Sequence, residues 1–174
     1  NGRVHFVATE RLHPPGQAAA PLQRDGTQMR LSNALAHHQR TMIGQHLLSW
    51  STNWDAAMSK LRARGLPLPK IVGGDATELS WNNAALEGLV NYGKAGHIIV
   101  LTWHPSNPTN PSYGTHFHNL TTTQFKQMLD DSTTIGQNWQ AEIDKIAPVL
   151  QRFQQNNIPV VFKPLHEQNA EWFW

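Results

Sequence analysis

Cysteine is absent from this 174-residue chain, which excludes disulfides and thiolate metal sites. It leaves the compartment open, since many exported bacterial enzymes also lack cysteine. Long apolar runs are missing too. The richest, Ile98-Ile99-Val100-Leu101, is far shorter than the roughly 20 residues a membrane helix requires. The N-terminus has neither an apolar signal core nor an initiating Met, which fits a mature or trimmed product. Excess charge of one sign is also lacking: 14 Lys and Arg against 12 Asp and Glu leave a net +2, and the basic residues are scattered. No phosphate-tracking stripe results, so nucleic acid is not an expected partner.

What is present belongs to a globular domain. A hydrophobic content of 39% with 9% aromatics can build a core, and one domain is the first expectation. Seven Trp are a heavy usage. Trp suits a core only where its N–H finds a partner, and Trp-rich faces suit sugar rings. Residues 1–30 are rich in Pro, Gly and Gln without a sustained period and read as an extended leader or lid ahead of the domain at 31–174.

From Thr41 onward short apolar runs bounded by Gly or Pro recur at Thr41–Gly44, Lys70–Gly73, His97–Trp103 and Ile158–Lys163. Each is too short for a helix and reads as a buried strand. Amphipathic helices lie between them. Asn53 caps one, with Trp54, Met58 and Leu61 on a face closed by Gly65; Asn82 opens another, with Leu86, Leu89 and Val90, closed by Gly93. A third runs from about Trp139 to Phe153, where Trp139, Ile143, Ile146, Leu150 and Phe153 share a face and Pro148 predicts a kink.

Strands alternating with helices imply an α/β fold with parallel strands. No Gly-x-Gly-x-x-Gly follows the first strand, which favours a (β/α)8 TIM-type barrel over a dinucleotide-binding sheet. Chemistry in such barrels sits where the strands end. Those positions read Gln45-His46, Gly74-Asp75, Trp103-His104 and His166-Glu167. Each alone is more often a loop cap or a satisfied core group. Four polar pairs converging on one rim carry the functional reading.

Glu167 is the sharpest candidate. It follows the strand of Val160, Val161 and Phe162, with Pro164 stiffening the exit and Trp172, Phe173 and Trp174 close behind. Apolar rings beside a carboxyl group disfavour its ionised form, which suits a general acid, although a buried ion pair is an equal alternative from spacing alone. His166 can position Glu167 or donate to a sugar hydroxyl.

The segments GHIIVLTWHPSNP, FKQMLDDSTTIGQNWQAEIDKIAPVL and IPVVFKPLHEQNAEWFW resemble the glycoside hydrolase family 26 β-mannanases, with TMIGQH and GGDATELSW similar more loosely. The likeness runs from about Thr41 to the C-terminus. It implies a (β/α)8 barrel that hydrolyses β-1,4-linked mannan, galactomannan or glucomannan with retention, without cofactor or metal, in a secreted, periplasmic or cell-surface setting. By the same resemblance Glu167 is the general acid/base, and His166, His104, Trp172, Asp75 and Trp103 form the substrate-binding set. Lys163 stands where the family has Arg, which loses a planar fork of donors. Ala170 stands for Gly, which is acceptable only at negative φ.

Retaining hydrolysis needs a second carboxylate about 5–5.5 Å from the first. The resemblance places it on the seventh strand, and none of Asp75, Glu78, Asp130 or Asp131 matches it. A barrel of this kind takes about 250 residues, so only about the first four β/α units are expected here, inactive alone, with the nucleophile in a remaining half. Four unclosed strands and a Trp172-Phe173-Trp174 tail would expose apolar surface. Alternatives stay open: an inactive carbohydrate-binding or scaffold fragment, or a same-family β-1,3-xylanase or mixed-linkage β-glucanase. The His37-His38 and His116-Phe117-His118 pairs lack a nearby carboxylate or Cys and do not read as a metal site. The Pro- and Asn-rich loop Pro105–Asn119 is expected to shape the substrate cleft. Asn119-Leu120-Thr121 fits a glycosylation sequon, relevant only in a eukaryotic secretory route.

Overall fold

The computed structural model describes residues 44–46, 54–116 and 118–174. The leader expected at 1–30, the His37-His38 pair and the Asn53 cap lie outside them. Three of the expected apolar runs hold strands, β2 Ile71–Asp75, β3 Ile98–Thr102 and β4 Val160–Lys163, while β1 Gly44–His46 shares only Gly44 with the first run, whose residues 41–43 lie outside the described residues. The four strands form one parallel sheet in the order β1-β2-β3-β4. Every neighbour in space is thus the neighbour in sequence. A doubly wound sheet reverses its strand order partway; this one does not, and its plan is that of half a (β/α)8 barrel.

Among the described residues five α-helices accompany the strands: α1 Trp54–Ala63, α2 Ala76–Leu79, α3 Asn83–Lys94, α4 Thr122–Met128 and α5 Thr134–Gln155. The expected punctuation holds at Gly65, which takes φ +64 just past α1, and at Asn82, whose side chain accepts the Ala85 N–H. Gly93 is a correction. It lies inside α3, which runs on to Lys94, and a Cβ there would meet Ile158 Cγ2 at 2.6 Å. Close helix packing on Ile158, rather than helix termination, explains that glycine. The long helix α5 begins five residues before the expected start, capped by the Thr133 hydroxyl on the Gly136 N–H, and continues through Pro148. The short helices α2 and α4 are additions; α4 carries a capping box in which Thr121 and Gln124 bond reciprocally.

The main core lies between the sheet and the helices. Val72, Ile99 and Leu101 on the strands pack with Met58, Leu89, Val90, Val149, Phe153 and Ile158. On α5 the buried apolar side chains are Ile146, Val149 and Phe153, with Leu150 partly buried beside them. A smaller cluster under the C-terminal ends of the strands joins Ala76, Trp103 and Ile146 to Trp139, Ile143 and Phe162. This second cluster forms the floor on which the polar strand-end residues sit.

Candidate active site

The register of the sheet builds the site. Asp75 and Thr102 are paired across β2 and β3, so their side chains rise on the same face, and the Thr102 hydroxyl donates to Asp75 Oδ2 at 3.0 Å. Asp75 is also the N-cap of α2, its Oδ1 accepting the Thr77 N–H at 2.9 Å. Thr77 in turn donates its hydroxyl to the His104 carbonyl at 2.9 Å, which fixes the backbone just past β3. Beyond β4 the ladder continues by one bond, from the His166 N–H to the Trp103 carbonyl at 3.0 Å. His104 and His166 are thereby brought side by side, their rings edge to face with centroids 4.9 Å apart.

Four of the expected residues meet here. His104 Nδ1 donates to Asp75 Oδ2 at 2.6 Å, and its Nε2 lies 3.4 Å from Glu167 Oε2. His166 Nε2 stands 3.9 Å from Glu167 Oε1. Glu167 has φ +60 and Leu165 φ +50, both in the left-handed region that side chains disfavour. Each such residue stores about 1–3 kcal/mol of strain, and such positions cluster at functional sites. The chain accepts this strain on both sides of His166.

The electrostatics separate the two imidazoles. The hydrogen bond to Asp75 raises the His104 pKa above the ordinary imidazole value, against the lowering by burial, and Asp75 and Glu167 charges add to the rise. Burial lowers that of His166, assisted by the Lys163 and His104 charges. Burial pushes the Asp75 carboxyl up, yet the His104 bond and charge, with the Thr102 and Thr77 donors, outweigh it and hold Asp75 below the usual range. One ring therefore favours the cation and its neighbour the neutral form, which is a division of labour suited to proton chemistry.

Several expectations need correcting. Glu167 does not stand in a ring-lined corner: its side chain is 51% exposed, and its close partners are the two imidazoles. Trp172 instead lies against His104, at 6.0 Å between centroids, and His116, at 5.2 Å. Asp75 has both oxygens engaged internally, so within these residues it positions His104. Trp103 is buried, stacked at 5.3 Å on Trp139 and at 6.3 Å on Phe162, and so forms core beneath the site rather than a sugar platform. The C-terminal aromatics are not splayed into solvent. Phe173 is buried and pairs with His116 in an antiparallel bridge, and the Trp174 indole donates to the Pro105 carbonyl at 2.8 Å. Ala170 stays outside the left-handed region, so the replacement of Gly is unstrained. His46, at the end of β1, leans over Gly73, where a Cβ would meet its Nδ1 at 2.8 Å.

Glu142 is the residue that sequence reasoning missed. Buried on α5, it accepts the Ser106 N–H at 3.0 Å and pairs with Lys145. It anchors the loop that leaves His104. Asn107, fully buried, organises the same loop: its side chain accepts from Thr109 and donates to the His118 carbonyl at 2.9 Å. The signal for Glu142 was its place three residues after Trp139 and four before Ile146, within the apolar face of the helix.

His104, His166 and Glu167 each offer one atom able to ligate a metal, all within 4.8 Å of one another. As a proton-transfer device, the same three groups place a carboxyl group on a strand end with one donor and one neutral ring beside it.

Comparison with known proteins agrees with this geometry. The family model described as Glycosyl hydrolase family 26 matches residues 41–174. A mannan endo-1,4-beta-mannosidase of Bacillus subtilis strain 168 is 40% identical over 101 residues, 58% of this chain and 26% of that protein. The solved structure of a Bacillus subtilis mannanase superimposes with a TM-score of 0.71 at 31% identity, over 87% of this chain and 49% of that one. A beta-mannanase from a symbiotic protist of the termite Reticulitermes speratus, at 21% identity and a TM-score of 0.66, shares the fold. The chain thus spans about half the length of these two solved structures. With the model match running through all four strands and the strand-end residues, the chain belongs to glycosyl hydrolase family 26.

Proposed function

We propose that this chain carries the acid/base half of a retaining, endo-acting β-1,4-mannanase. Glu167 protonates the departing glycosidic oxygen as the bond to the anomeric carbon breaks and a second carboxylate forms the glycosyl ester. That carboxylate is supplied by the half of the barrel that these residues do not span. In the second half-reaction Glu167 takes a proton from the water that attacks the anomeric carbon and releases the ester. His104, held by Asp75, donates toward Glu167 Oε2 and steadies it between the two steps. Trp172 supplies an aromatic wall beside His104, and a secreted or cell-surface enzyme would meet such a polymer. The observation that carries the reading is Glu167 itself, held in a strained conformation at the strand end between two histidines. The relatives' activity on mannan supports the choice of polymer.

Glu167→Ala in the whole enzyme tests it. Mannan hydrolysis should fall by about 10²–10⁴-fold, the usual share of general acid catalysis. An aryl β-mannoside with a good leaving group should still release its phenol, because that departure needs no proton. Unchanged mannan hydrolysis in the variant would end the assignment.

A further inference from the structure

The cluster that moves the proton is also a set of metal donors. We propose that His104, His166 and Glu167 form an inhibitory site for a borderline divalent cation, of which zinc is the type, that closes the acid/base centre when it binds. Zinc commonly takes two imidazoles and one carboxylate with a fourth position open to water. Bonds of about 2.0–2.2 Å at tetrahedral angles put ligand atoms roughly 3.3–3.6 Å apart. The His104 Nε2 to Glu167 Oε2 separation of 3.4 Å already lies in that range, while His166 Nε2 stands 3.9 Å from the other carboxylate oxygen, Oε1, and must draw in by a few tenths of an ångström. The three donors lie together within 4.8 Å.

The surroundings point the same way. Metal-bound histidines usually give their other ring N–H to a carboxylate, which fixes the tautomer and strengthens the donor. Asp75 does this for His104, binding Nδ1 and leaving Nε2 facing Glu167, where a bound cation displaces the Nε2 proton to solvent. Within these residues Glu167 is half exposed, so a cation can reach it from solvent. Bound there, the cation would occupy the carboxylate oxygen that protonates the leaving group and block its chemistry. The inference concerns the same residues as the proposed hydrolase but does not require that they cleave anything.

Zinc calorimetry on the protein in a non-chelating buffer near neutral pH tests the site without turnover. Glu167→Gln and His166→Ala should each bind one zinc equivalent fewer than the unsubstituted protein, with circular dichroism confirming the fold. His118→Ala, at an exposed imidazole stacked on Tyr113, should keep the full number. Asp75→Asn should retain the site with affinity weakened about 10–100-fold. Equal zinc stoichiometry in Glu167→Gln, His166→Ala and the unsubstituted protein would overturn the metal site while leaving the hydrolase reading intact. A full enzyme that loses one zinc equivalent on substitution yet never cleaves mannan would support the metal site and overturn the hydrolase reading alone.

Discussion

Replacing Asp75 by Asn isolates the charge that holds His104. Asn caps a helix as well as Asp does, so the bond from the Thr77 N–H survives, and the Thr102 hydroxyl can reorient. What disappears is the ionised acceptor 2.6 Å from His104 Nδ1. Both side chains are mostly buried, 26% and 18% exposed, so solvent screens the pair only modestly. A hydrogen bond to a charged group at such a site contributes about 1.5–3 kcal/mol. The folded His104 pKa is raised, so its contribution is complete below about pH 6.5 and is lost as pH climbs through the folded value. Asp75 is held low, so its contribution is present above about pH 3.9 and is lost as pH falls through its folded value. Glu167, His166 and His46 also face this pair and tune the window without reversing it. The stabilisation therefore peaks between about pH 4 and about pH 6.5. Urea denaturation at about pH 5.5 should show Asp75→Asn lowering the midpoint by about 0.75–1.5 M, and at about pH 9 by clearly less, for a slope of about 2 kcal/mol/M. Proton NMR should show the His104 titration shifted down in the variant. Equal losses at both pH values, or an unshifted His104, would refute the charge-pair account.

Two further outcomes concern the fold beneath the site. Gly136→Ala should destabilise by about 3 kcal/mol or more, because a Cβ would stand 2.0 Å from the Asp130 carbonyl oxygen, itself tied by Thr133; an unchanged urea midpoint would contradict it. Phe153→Ala, at a ring with no exposed surface, should lower stability by about 3–5 kcal/mol, read from the same denaturation curves.

The strands were legible in the sequence because a buried parallel strand is a short apolar run, and the runs before Asp75, Trp103 and Lys163 have no other use. Their order needed no contact information, since alternating strands and helices leave few topologies. Helices α2 and α4 escaped because four and seven residues do not complete an apolar period. Glu167, His166 and His104 could be named from their places at strand ends. The role of Asp75 could not, because its occupation by Thr77, Thr102 and His104 depends on the register of β2 against β3. Trp103 misled for a similar reason: strand-end aromatics point up or down according to pleat, and this one points into Trp139 and Phe162.

The tail that follows Glu167 is stitched to the loop that follows His104. Trp174 bonds Pro105 through its indole, its own N–H reaches the Thr115 carbonyl, the Leu120 N–H returns to the Trp174 carbonyl, and Phe173 bridges His116. Segments 105–120 and 164–174 consequently behave as a single cut piece. Anyone grafting a different specificity onto this scaffold must transplant both together, since exchanging either one alone would leave the other without its seam.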